Sequence, residues 1–190
     1  LMSLLNCFYL KLCFHFADEE PLGVVKTKHI FLRSISKWSK LFLSTIYNYF
    51  PNKEVLINSL YVSVKEAERK VFAPFQEETP IKTQFEEYYQ AAVQFYVDNP
   101  LYFRFVEQIQ ASPIITKESK DIGFESIREV LKLVEKGKQD RIIKHLRAEE
   151  LMQFVGGTIL SFMKYHFDRE GQEPMSLANQ LRMVWDAIKE

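Results

Sequence analysis

The sequence points to an all-α protein: three short helices in an N-terminal unit, then a larger helical body. Three observations support this. Apolar residues recur at three- and four-residue spacing through most of the 190 positions. No stretch alternates apolar and polar residues for long enough to build a sheet, and no internal repeat occurs. Six Gly and seven Pro stand mostly far apart, which leaves room for long uninterrupted helices. Fractions of 47% hydrophobic and 26% charged residues belong to a globular chain and exclude a disordered one.

Residues 1–16 form the first expected helix, with Leu4, Phe8, Leu12 and Phe16 in one stripe. The segment is too short for a membrane span. It has neither the basic leader nor the small-residue cleavage site of a secretory signal, so it is expected to be a buried helix. The chain starts without an initiator Met, which leaves room for a missing N-terminal piece. After a break at residues 18–23, a second helix is expected over about 29–39. Ile30, Leu32, Ile35 and Trp38 face inward there, and Arg33, Lys37 and Lys40 outward. A short turn leads to a third helix from Ser44 to Phe50.

Pro51-Asn52 breaks the chain, and Asn52 is a good N-cap for a helix from Lys53 to about Phe72. Val55, Leu56, Leu60, Val64, Ala67 and Val71 are its expected inner side. Thr79 is read as the cap of the next helix, with Pro80 in its first turn, running to Asp98. Asn99-Pro100 repeats that signal before a helix that Pro113 stops. Thr116 is expected to cap a single helix reaching Lys136 and stopped by Gly137. Its expected buried face is Ile122, Ile127, Val130, Leu131 and Val134. A long helix from Ala148 to about Phe167, with Glu149-Glu150 as its acidic first turn, and a last one from Ser176 to Ile188 complete the chain.

Formal net charge is zero, but it is unevenly spread. Residues 21–53 contain no Asp or Glu, against Lys26, Lys28, Arg33, Lys37, Lys40 and Lys53, so the remainder is net acidic. A basic patch carried on an acidic body suits a polyanionic partner. Cys7 and Cys13 have no CxxC partner and no His pair, so neither zinc nor a disulfide is expected; a reducing cytoplasm is.

The third helix carries hydroxyls, an amide and phenols on a surface without acids. Two short helices joined by a turn make a helix-turn-helix, whose second helix enters the major groove. On that helix Thr45 and Asn48 share a face, with Tyr49 beside it. Asn pairs bidentately with adenine, and Thr touches a thymine methyl or a phosphate. Tyr47 points toward the strand backbone, while Ile46 and Phe50 dock inward. Lys53 opens the next helix, where its charge and the free N–H groups both favour a phosphate. Arg33, Lys37 and Ser44 complete the expected DNA-facing set. For Tyr47 and Tyr49, packing between helices is the alternative.

Thr45, Ile46, Tyr47, Tyr49, Phe50, Lys53, Glu54 and Leu56 match in order the recognition-helix signature S-x-x-T-[IL]-Y-x-[YH]-F-x-x-K-[ED]-x-L. The chain thereby resembles the TetR family of transcriptional repressors. That resemblance implies a helix-turn-helix DNA-binding domain over about 1–52 and a helical ligand-binding and dimerisation domain over 53–190. It also implies DNA contacts by Thr45, Tyr47, Tyr49 and Lys53, and a double-stranded operator DNA as partner. Lys40-Leu41-Phe42-Leu43 departs from the family's turn, which usually has Gly and then small residues.

Aromatic residues crowd the body. Phe72, Tyr88, Phe95, Tyr96, Tyr102 and Phe103, joined by Phe162, Tyr165 and His166, exceed what helix packing requires. They are the candidate binding site for a small-molecule inducer of apolar or aromatic character. Ordinary core packing is the alternative for each one singly. Gly156-Gly157 lies inside a long helix at a cost of about 1 kcal/mol each relative to Ala, which fits close approach of another helix. Leu160, Met163, Met183 and Trp185 extend that surface, and the resemblance implies that the last two long helices pair in a homodimer. A neighbour within the same chain is the alternative partner for the glycines. No HExxH, GxSxG, phosphate-cradling loop or zinc spacing occurs, so neither an enzyme nor a cofactor is expected. The leading expectation is a cytoplasmic repressor released by a ligand, with no membrane attachment. The alternative is a helical ligand-binding or interaction protein whose N-terminal unit does not read DNA.

Overall fold

The computed structural model describes residues 50–109, 112–168 and 173–190. Among these the protein is all-α, with seven helices. They are α1 (Lys53–Arg69), α2 (Ile81–Asp98), α3 (Pro100–Ile109), α4 (Lys117–Glu125), α5 (Arg128–Gln139), α6 (Ala148–Asp168) and α7 (Leu177–Ile188). The expected helices before Phe50, including the helix-turn-helix and its site residues, lie outside the described residues.

Two compact units form. Among the described residues, one is built from residues 50–66 together with those of Arg104–Gly123, the other from Ala67–Phe103 together with those of Phe124–Glu190. In the first, Leu56, Leu60 and Val64 fall four residues apart on α1 and are buried, as are Phe105, Val106 and Ile109 on α3. Val55, expected inward, is exposed because it lies off that stripe. In the second unit, α2 packs on α5, α6 and α7. Phe85, Leu133, Val134, Met163 and Val184 are almost completely buried there.

The boundaries show local chemistry at work. Asn52 caps α1, its Oδ1 accepting from Val55 N at 2.9 Å. Helix α1 ends at Arg69, short of Phe72, as Lys70 N and Val71 N donate to carbonyls three residues back; Val71 is exposed. Thr79 caps nothing. Pro80 holds the N-cap position of α2 without a side-chain bond, and the Thr79 hydroxyl donates to Gln76 Oε1. Gln84, reaching back from α2, ties the turn instead through Gln76 N, Gln76 O and Thr79 O. The Asn99 side chain likewise turns backward and closes α2 by donating to Phe95 O.

The single helix expected from Thr116 to Lys136 is two helices. Thr116 does cap the first, its Oγ1 accepting from Ser119 N. The chain then breaks at Ser126-Ile127, where Ile127 N bonds Phe124 O three residues back. Past the break Val130, Leu133 and Val134 are buried, whereas Ile122, before it, is exposed. Nor does Gly137 stop a helix; it lies inside α5. A Cβ there would stand 2.6 Å from Ile143 Cδ1 and 3.2 Å from Ile81 Cγ2, so Gly137 is the point of closest approach. Helix α5 ends two residues later. Arg141 takes the left-handed conformation, φ 55°, and Ile142 N and Ile143 N both donate to Gly137 O. The segment after α5 then bridges the last residues of the chain, with Lys144 N bonded to Ile188 O and Glu190 N to Ile142 O. Glu150 in the first turn of α6 accepts from Arg147 N and Arg147 Nη2, which holds its carboxyl below the usual range. Ser176 caps α7.

Candidate functional site

Of the residues expected to face DNA, Arg33, Lys37, Ser44, Thr45, Tyr47, Asn48 and Tyr49 lie outside the described residues. Lys53 is described, as the first residue of α1. Asn52 satisfies one N–H of that helix end, and the partial positive charge of the terminus adds to the Lys ammonium.

The aromatic residues of the body fall into three groups. Phe95 contacts Tyr96 and Tyr102 edge to face or tilted. Tyr96 meets Phe103, Phe103 meets Phe167, and Phe167 meets His166. The structure thus brings Phe95, Tyr96, Tyr102, Phe103 and His166 into one set of ring contacts that runs through Phe167. Phe72 and Tyr88 form a separate edge-to-face pair. Phe85 forms the third group with Tyr89 and Trp185. Phe162 is buried on α6, and Tyr165 lies at the edge, its hydroxyl donating to Glu173 O.

The phenols have partners within the chain. Tyr88 Oη donates to Ala73 O at 2.9 Å. Burial, reinforced by the Glu129 and Glu87 carboxylates, pushes its pKa up to about 12, so this hydroxyl remains a donor at all physiological pH. Tyr96 Oη donates to Glu68 Oε1 at 3.2 Å. Glu68 is itself 6% exposed, which makes it a buried carboxylate at the edge of the largest aromatic group. It was not among the expected residues, although a signal existed: it continues the Leu60, Val64 spacing by one more turn. No group of three or more His, Cys, Asp or Glu able to hold a metal occurs among the described residues. None of the described helices is long and apolar enough to cross a membrane.

The expected dimer residues divide sharply. Met163 and Trp185 belong to the interior of the chain, fully buried and 7% exposed, Trp185 against Phe85. Buried within the chain, they have no surface to offer. Met183 is exposed on α7, and Phe154, absent from the expectation, is exposed on α6 one turn before Gly157. A Cβ on Gly156 or Gly157 would meet nothing within 4 Å. The two glycines therefore serve no close contact with a described neighbour in this chain. Leu160 is half-buried beside them.

Comparison with known proteins agrees with this architecture. Residues 60–190 match the family described as tetracyclin repressor-like, C-terminal domain. A TetR family transcription regulator from Marinobacter aquaeolei VT8 is similar in structure, with a TM-score of 0.72 at 17% identity over 97% of this chain and 95% of that one. A putative TetR family regulator from Shewanella sp. PV-4 gives 0.69 at 18%, over 97% and 98%. A putative TetR family regulator from Vibrio parahaemolyticus gives 0.63 at 18%, over 97% and 98%. At such identities these structures speak for the fold. No curated protein matches the sequence. Helix order, the body that α2 organises and the match over most of the chain lead to one conclusion: this protein belongs to the TetR family of transcription regulators.

Proposed function

We propose that the protein is a homodimeric, cytoplasmic repressor that binds double-stranded operator DNA and is released by a small apolar or aromatic ligand. The observation that carries the DNA reading is continuity. The recognition signature over residues 44–56 runs directly into the family body at residue 60, and its single basic member, Lys53, stands at the N-terminus of α1. A Lys there suits a phosphate, positioning the helix before it in the groove. Division into a DNA-binding part over 1–52 and a body over 53–190 follows from the same continuity.

A two-fold partner would let one short helix read two half-sites. Phe154, Gly157 and Met183 support α6 and α7 as the pairing surface, since they are exposed apolar or bare positions on adjacent helices. The group of Phe95, Tyr96, Tyr102, Phe103 and Phe167 supports an apolar or aromatic ligand. Ligand binding would favour a body shape in which the recognition helices leave half-site spacing.

Filter binding to fragments of the gene's own upstream region tests the reading. Tyr47→Ala and Lys53→Ala should each bind more weakly and with a shallower salt dependence, by about one unit of log–log slope per lost phosphate contact. Unchanged affinity and slope in both variants would remove the assignment. No binding by the wild-type protein at low salt would favour a helical ligand-binding or interaction protein that does not read DNA.

A further inference from the structure

Helix α1 carries a buried amide that none of the roles above uses. Asn58, about one and a half turns into the helix, is 9% exposed. Its Nδ2 donates to Ile114 O at 2.9 Å and to Glu54 O of its own helix at 2.9 Å. Its Oδ1 accepts from Thr116 N at 2.9 Å. One side chain thus reads both a carbonyl and an N–H of the segment before α4, which requires the paired donor and acceptor of an amide. Thr116 carries the chain of bonds onward, its Oγ1 accepting from Ser119 N and donating to Ser119 Oγ at the start of α4. A second contact lies further along the same two helices. Gly123 of α4 lies against the Tyr61 phenol, and a Cβ there would collide with its hydroxyl.

Apolar contacts between helices tolerate small slides. A doubly bonded amide resists them, because hydrogen bonds weaken steeply with distance and angle and the Asn58 amide is itself buried. Lys53 is five residues from Asn58 on the same helix. Any displacement of the 114–116 segment is therefore passed to the N-terminal turn of α1 while the amide bonds hold.

We propose that Asn58 is a positioning residue that locks the N-terminal half of α1 to the cap of α4, so that movement at the start of α4 is transmitted to Lys53 instead of being absorbed by sliding. Its consequence for DNA rests on the regulator reading above; the lock itself does not.

Two arms of one experiment, on the full chain, separate these. In the first, hydrogen exchange is followed without DNA. Thr116→Val removes the α4 cap while keeping the N–H that Asn58 reads. It should speed amide exchange over residues 55–60 severalfold, and this added effect should vanish on an Asn58→Ala background. An equal effect of Thr116→Val with and without Asn58, or no effect in either, would overturn the lock. If Asn58→Ala does not fold, Asn58→Asp replaces it, keeping the acceptor for Thr116 N and losing both donors. In the second arm, filter binding to the upstream fragment should show Asn58→Ala weakened about tenfold with its salt slope unchanged, since no phosphate contact is lost. Wild-type affinity in that variant would overturn the transmission to DNA. A wild-type protein that binds no fragment would end the regulator reading, with the lock still decided by the first arm.

Discussion

Tyr89 on α2 and Thr158 on α6 share a buried hydrogen bond of 3.1 Å. Its direction follows from the next bond along. The Thr158 hydroxyl proton is given to Val155 O at 2.7 Å, so Tyr89 donates and Thr158 accepts. Burial raises the Tyr89 pKa. Among the described residues no buried side-chain N or O lacks a partner.

That direction makes the two ends unequal. Tyr89→Phe removes a donor and leaves an acceptor already engaged in another bond, so it should cost about 1 kcal/mol. Thr158→Val should cost more, about 2 kcal/mol, because it strands the buried phenol. Urea denaturation of both variants checks the order.

Gly137 and Ile143 give a second test. Ala at position 137 gains about 1 kcal/mol of helix propensity. Against it, the new Cβ meets the buried Ile143 at 2.6 Å and 2.8 Å, and overpacking costs about 1–3 kcal/mol. Gly137→Ala should therefore destabilise, and Gly137→Ala/Ile143→Val should recover part of the loss. A stabilised single variant would show that the Ile143 side chain gives way freely.

Glu129 supplies a pH dependence. Its Oε2 accepts from Phe75 N at 2.8 Å, and Lys132 Nζ lies 2.9 Å and 3.1 Å from its two oxygens. The Phe75 N–H first, then Lys132, hold its carboxyl below the ordinary 4.5. A carboxyl depressed in the folded state stabilises fully above its unfolded pKa and loses that contribution as pH falls through the folded value. Glu129→Ala should thus lower Tm at neutral pH, by the equivalent of about 1 kcal/mol. The gap to wild type should close as pH drops below 4.5.

The α6 surface gives a prediction with opposite signs. At Gly157 a Cβ enters open space within the chain, so Gly157→Ala should stabilise the helix by up to about 1 kcal/mol. If α6 meets a second copy there, the same substitution, and more so Phe154→Glu, should shift sedimentation toward monomer and remove the concentration dependence of Tm. A monomeric wild type, or a Phe154→Glu dimer as tight as wild type, would end that assignment.

Short-range signals carried most of the helix list. Asn52 and Thr116 cap as their side chains suggest, because a cap is a contact across two or three residues and needs nothing from the rest of the chain. The misreadings share another cause. Thr79 and Asn99 each sit where two neighbouring elements compete for one polar side chain. Gln84 and Phe95 O, supplied by folded α2, settle that competition.

Periodicity likewise identified Leu60, Val64 and the aromatic positions, since spacing along a helix decides which residues share a face. It also placed Glu68 on the buried stripe, where its charge hid it. Spacing alone could not say which buried stripe meets a neighbour within the chain and which is left for a partner. Met163 and Trp185 went inward, and Phe154, Met183 and the bare Gly156-Gly157 stayed outward. That choice depends on how α6 and α7 are rotated against α2, a long-range packing outcome. The family and the all-helical order were therefore readable residue by residue. The role of Asn58 came from bonds to a segment more than fifty residues away, that of Gly137 from the folding back of Ile143 and the approach of Ile81, and that of the α6 surface from what packs elsewhere; local sequence encodes none of these.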